Sequence, residues 1–120
     1  TKFVCMNTNA LEYDYSHPVP DFDFISREVA DSARYSKTVA VMHVKPYDDQ
    51  FNNNVARLFH AEIKKFPSLQ FALHAHNHKL QTTDVFKDGI IYYGCASMKQ
   101  RNYMVFTLTT NGYSYEVVDY

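Results

Sequence analysis

Phe71-Ala72-Leu73-His74-Ala75-His76-Asn77-His78 starts as an apolar run and ends in alternating histidines. It reads as a buried strand that delivers imidazoles at its C-terminal end. If the extension persists, the strand period of two places His74, His76 and His78 on one side. Neutral imidazole is the commonest protein metal ligand near neutral pH, so the stretch points to metal coordination.

Upstream, strands and helices alternate. Lys2 to Asn7 holds the run Phe3-Val4-Cys5-Met6, as expected of a strand covered on both faces. Asn7 to Asp21 is a loop with Pro18 and Pro20, in or beside which Glu12, Asp14 and Asp21 fall. Phe22 to Ser36 reads as a helix, with Phe22, Ile25, Val29 and Ala33 as its stripe and Asp21 and Asp23 suited to its start. Thr38 to Val44 is a β-branched strand that embeds His43, and Lys45-Pro46 ends it. A polar loop follows, with Asp48, Asp49 and an Asn triplet as a cap. Val55 to Phe66 then forms a helix, with Val55, Leu58, Phe59, Ile63 and Phe66 buried and His60 exposed. Leu69 to His74 completes strand-helix-strand-helix-strand, a pattern that predicts parallel strands with right-handed crossovers.

After His78 the pattern changes. Gln81 to Phe86 and Ile90 to Ala96 read as strands around a Lys87-Asp88-Gly89 turn. Arg101 to Thr109 and Tyr113 to Tyr120 read as a hairpin closed by Asn111-Gly112. The fold class is therefore α/β, βαβαβ followed by an antiparallel meander, in a single unit.

Composition narrows the function classes. Twelve Lys and Arg against thirteen Asp and Glu leave no basic block, so there is no nucleic-acid signature and no polybasic membrane patch. No apolar run is long enough to span a membrane. Aromatics at 16% favour an ordered, β-rich fold. Cys5 and Cys95 read as buried free thiols, not as a disulfide or zinc framework. Localisation, cytoplasmic or exported, stays open.

His43 ends one strand and the His-x-His stretch ends the next, with a single helix between them. A βαβ crossover puts both at the same edge of the sheet. This arrangement resembles the calcineurin-like metallophosphoesterases. Val39-Ala-Val-Met-His43-Val-Lys-Pro46 is similar to that family's strand with a lone histidine and a proline loop. Ala75-His76-Asn77-His78 is similar to its Gly-His-x-His, with alanine at the glycine position. Ile91-Tyr-Tyr-Gly94-Cys-Ala-Ser97 and the closing hairpin are similar to its last strands.

The resemblance implies the C-terminal half of a four-layer α-β-β-α sandwich, with residues 1–120 as a single partial domain. The family's Asp-x-His, Gly-Asp-x-x-Asp and Gly-Asn-His-Asp/Glu motifs are absent from this sequence. It implies His43 and His76 as ligands of one metal and His78 of another. His74, Lys45 and Asn77 would be supporting or substrate-contacting residues. The cofactors would be divalent manganese, zinc or iron, dinuclear in the parent, with this chain empty or holding one ion. The parent would hydrolyse phosphomonoesters or phosphodiesters through metal-bound hydroxide. This chain alone, lacking anionic ligands, would be inactive and would self-associate. Two alternatives remain: a non-catalytic protein-interaction or metal-sensing module, and a mononuclear zinc hydrolase completed by Asp48 or Asp14.

Overall fold

The computed structural model describes residues 1–11 and 18–120. Glu12 and Asp14 lie outside the described residues. Strands β1 (Lys2–Met6), β2 (Thr38–Met42) and β3 (Leu69–His74) are joined through helices α1 (Phe22–Ala30) and α2 (Ala56–Ile63). They are followed by β4 (Gln81–Thr83), β5 (Tyr92–Gly94), β6 (Asn102–Thr109) and β7 (Gly112–Asp119). The main sheet has the order β1-β2-β3-β5-β4. Each neighbouring pair among β1, β2, β3 and β5 is parallel, while β4 runs antiparallel to β5. The protein is thus α/β, with a mixed sheet and a second, antiparallel one.

The last strands do not form the expected antiparallel meander. β5 returns parallel to β3, and β6–β7 forms its own two-stranded sheet. The helices cover one face of the main sheet, where Ile25, Phe59 and Ile63 pack with Val4, Ala40, Ala72 and Tyr92. The hairpin covers the other, with Met104, Phe106 and Leu108 over Val39, Phe71 and Tyr93. β1 lies beyond the hairpin's reach. Phe3 and Cys5, paired with Val39 and Val41 on the hairpin side, stay exposed, Phe3 at 57%. The expectations that β1 is covered on both faces and that Cys5 is buried are therefore overturned. Cys95 is only half-buried.

Local chemistry sets the element ends. Asp21 caps α1 by accepting from the Phe24 amide at 3.1 Å. The helix stops at Ala30, short of the expected Ser36. The Ser32 hydroxyl turns back onto the Glu28 carbonyl, and Lys2 from β1 donates to both groups. Ala33 consequently lies beyond the helix and is exposed. β2 ends at Met42 because Thr8 takes over the next ladder position. Its hydroxyl donates to the Val44 carbonyl at 2.7 Å and accepts from the Val44 amide at 3.1 Å.

The α2 stripe runs through Ala56, Phe59, His60 and Ile63, so His60 is buried at 5% exposure and Leu58 is 51% exposed. This reverses the expected roles of those two residues. No Asn side chain caps the helix. Asn53 instead accepts from the Tyr47 amide and donates to the Asp48 carbonyl.

β4 is shorter than expected because Asp84 folds the next residues into a compact loop, accepting from the Asp88 and Gly89 amides at 3.1 Å each. Gly89 supplies the positive φ of +86°. The hairpin turn falls on Thr110-Asn111, one residue before the expected pair. Either register keeps Leu108 and Tyr113 on the inner face, so apolar patterning does not choose between them. Lys37 donating to the Thr110 carbonyl ties the observed tip to the main sheet.

Candidate functional site

The loops at the C-terminal edge of β2 and β3 carry the candidate residues. The backbone joins these strands past the ladder, with the Ala75 amide donating to the His43 carbonyl at 3.0 Å. His43 is exposed and His76 is half-buried. Their rings meet edge to face with centres 5.2 Å apart. Two imidazoles on one tetrahedral ion, at ordinary metal–nitrogen distances, have ring centres about 5 Å apart. This pair therefore has the spacing of two ligands on a common ion. His76 Nε2 also donates to Asp49 at 3.0 Å. The acid that reaches the histidines is thus Asp49. Asp48, which the zinc-hydrolase alternative would use, is engaged elsewhere.

The three-histidine row does not persist on one side. β3 ends at His74, and His76 and His78 adopt positive φ values of +68° and +57°. The Asn77 amide closes a three-residue turn onto the Ala75 carbonyl at 2.7 Å, with His76 at its centre. Each such non-glycine residue costs about 1 kcal/mol or more, so the surroundings must hold the turn. Ala75 itself is free of the positive φ that would call for glycine. His78 points to solvent, with its carbonyl accepting from Gln100, and no contact joins it to the His43–His76 pair.

Asp48 provides the holding. It accepts from buried Lys45 at 2.8 Å and from the Asn77 amide group at 2.7 Å, and Asn77 donates onward to Gln81 at 2.9 Å. A buried ammonium requires such a partner. Lys45 and Asn77 therefore face the scaffold, not the solvent side of the histidines. They tie the β2–α2 loop, the His-x-His turn and β4 together.

His74 is 3% exposed and packs directly on β5. A Cβ on Gly94 would lie 2.7 Å from its Cε1 and 2.9 Å from its Nε2, so only glycine fits opposite it. Nδ1 donates to the Ala75 carbonyl at 3.2 Å, and the buried Nε2 has no partner. Burial, with the nearby Lys45 charge, lowers its pKa below the ordinary histidine value despite that bond. It is a packing residue, separate from the His43–His76 pair.

A second polar cluster escaped the sequence reading. His60 Nε2 donates to Asp88 at 2.6 Å, and Nδ1 accepts from the buried Tyr92 hydroxyl at 2.8 Å. Phe86 stacks on the ring at 4.0 Å, and Lys64 reaches Asp88 at 2.9 Å. Burial alone would raise the Asp88 carboxyl. His60, Lys64 and the Ile90 amide overcome it and hold the group well below the usual range. Burial pushes the Tyr92 hydroxyl well above its ordinary value, and the nearby Asp88 charge adds to this. The signal was present in the spacing of Ala56, Phe59, His60 and Ile63, an i, i+3, i+4, i+7 stripe.

Only the ring-centre spacing of His43 and His76 matches a metal centre. His43 lies beside His76 and His76 bonds Asp49, but among the described residues no group of three or more His, Cys, Asp or Glu side chains is placed to hold an ion. No described helix is long and apolar enough to cross a membrane. No family model, curated protein or solved structure matches the chain.

Proposed function

We propose that this chain is the C-terminal portion of a calcineurin-like, metal-dependent phosphoesterase of the four-layer α-β-β-α class, acting on phosphomonoesters or phosphodiesters. The observation that carries the reading is the meeting of His43 and His76, from adjacent parallel strands, at ligand-pair spacing. In this reading the pair holds one divalent ion of manganese, zinc or iron. His78 serves a second ion whose other ligands come from the N-terminal half of the parent. The bound ion supplies Lewis-acid charge toward the phosphate oxygens. Asp49 orients His76, and the Lys45–Asp48–Asn77 chain fixes the strained turn that presents it.

The bare side of β1, with Phe3 and Cys5, supports the same reading, because a second sheet would cover it. The isolated chain is expected to self-associate through that side and edge. Phosphatase assays with manganese or zinc, run on the 120-residue chain and on a protein that also carries the N-terminal half, test the proposal. Activity is expected only in the longer protein, falling at least about 100-fold on His43→Ala or His76→Ala. Full turnover by the short chain would sink the half-site reading. Undiminished activity in both variants would remove the metal role.

The lack of a third ligand among the described residues favours one second reading, a non-catalytic interaction or metal-sensing module. That reading expects His76→Ala and His78→Ala to leave the parent's function intact.

A further inference from the structure

The loop that carries Asp48 and Asp49 also borders a cleft of about 330 Å³, lined by Tyr47, Arg57, Val85, Phe86 and Lys87. Its size is at the lower end of small-ligand sites. One wall is aromatic. Tyr47 and Phe86 lie 5.6 Å apart, tilted by 40°. Phe86 is backed by His60, which Asp88 and Tyr92 lock from behind, so this wall is rigid. Tyr47 is half exposed. It holds a φ of +71°, with its amide tied to Asn53 at 2.8 Å. A non-glycine residue in that conformation is strained, and the strain sets an aromatic face at the mouth of the cleft.

The rest of the cleft is cationic. Arg57 and Lys87 both line it, and among the described residues neither side chain has a hydrogen-bond or ion-pair partner. The neighbouring acids are already committed. Asp48 holds Lys45 and Asn77, Asp84 caps its own turn, and Asp88 binds His60 and Lys64. The cleft thus combines an open ring face with two uncompensated positive charges. We infer that it binds an aromatic phosphate, the planar ring resting on Tyr47 and the phosphate lying between Arg57 and Lys87. Binding here needs no metal and goes beyond the phosphoesterase reading. Hydrolysis of the bound ligand rests on that reading.

Adenosine monophosphate is the probe, titrated into the full chain in the presence of a chelator and followed by calorimetry. Saturable binding is expected, weakened about tenfold or more by Arg57→Ala with Lys87→Ala. Tyr47→Ala is expected to weaken adenosine monophosphate but to leave inorganic phosphate unchanged. The charged variants replace exposed side chains, and circular dichroism checks that they fold. No saturable binding at millimolar probe, or affinity unchanged in the double variant, overturns the inference and leaves the phosphoesterase reading standing. Binding that persists in a metal-loaded, longer protein showing no turnover does the reverse.

Discussion

The protein carries two histidine assemblies that differ in nearly every physical respect. His43 and His76 stand at the open end of the sheet, one exposed and one half-buried, with Asp49 bonded to His76. His60 lies inside, with both ring nitrogens occupied, one ring face stacked and a carboxylate further paired to Lys64. The inner assembly is complete and therefore structural. The outer one is joined to the described residues by the His76–Asp49 bond, beside a turn that the scaffold holds under strain. That contrast separates a histidine that stabilises a fold from one available for chemistry.

Substitution at the inner assembly is expected to have the largest effect on stability. His60→Ala removes a packed ring and leaves the Tyr92 hydroxyl buried without its partner, at a cost of about 3 kcal/mol. Urea unfolding measures it, and a loss below about 0.5 kcal/mol would show that the cluster is not structural.

Gly94→Ala comes next, at about 2 kcal/mol, because its methyl would collide with His74. A double-mutant cycle with His74→Ala locates the clash, since full additivity would place it elsewhere.

Titration sharpens the comparison further. The raised Tyr92 hydroxyl stabilises the fold below the ordinary tyrosine value, and this contribution is lost as pH climbs past about 10. The lowered Asp88 carboxyl stabilises above the ordinary carboxylate value, and its share is lost as pH falls below about 4. Tyr92→Phe is expected to flatten the alkaline limb of a stability–pH profile, and Asp88→Asn the acid limb. An unchanged profile in either variant would break the assignment of that limb.

The smallest effect on stability belongs to the outer pair. His43→Ala is expected to shift stability by less than about 0.5 kcal/mol, because its ring packs against little besides His76. A large loss would mean that the exposed ring is structural after all.

Much of this was legible in the residues. The apolar runs at Val39 and Phe71, with helical periodicity between them, placed His43 and His76 just past the C-terminal ends of neighbouring parallel strands. Local pattern and crossover geometry decide that relation. The runs also marked Leu69–His74 as a strand with its stated ends. Other features depended on partners distant in sequence. Lys2 ends α1, Thr8 ends β2, and Tyr92 and Asp88 make His60 an interior residue. The stripe through Ala56, Phe59 and Ile63 marked His60 as inward-facing, but no periodic pattern marks any of these partners.

The sequence by itself determined the α/β class, the parallel β1-β2-β3 core and the edge at which the histidines gather, because nearest-neighbour chemistry and handedness suffice for these. Only the tertiary structure decided which histidines meet. Positive φ at His76 and His78 breaks the strand period, turning His76 toward His43 and Asp49 while His78 faces solvent. The physical reason lies in Asp48 and Gly94, one anchoring the turn through Asn77 and the other giving His74 room to pack beneath it. Both act across chain separations that no local pattern records.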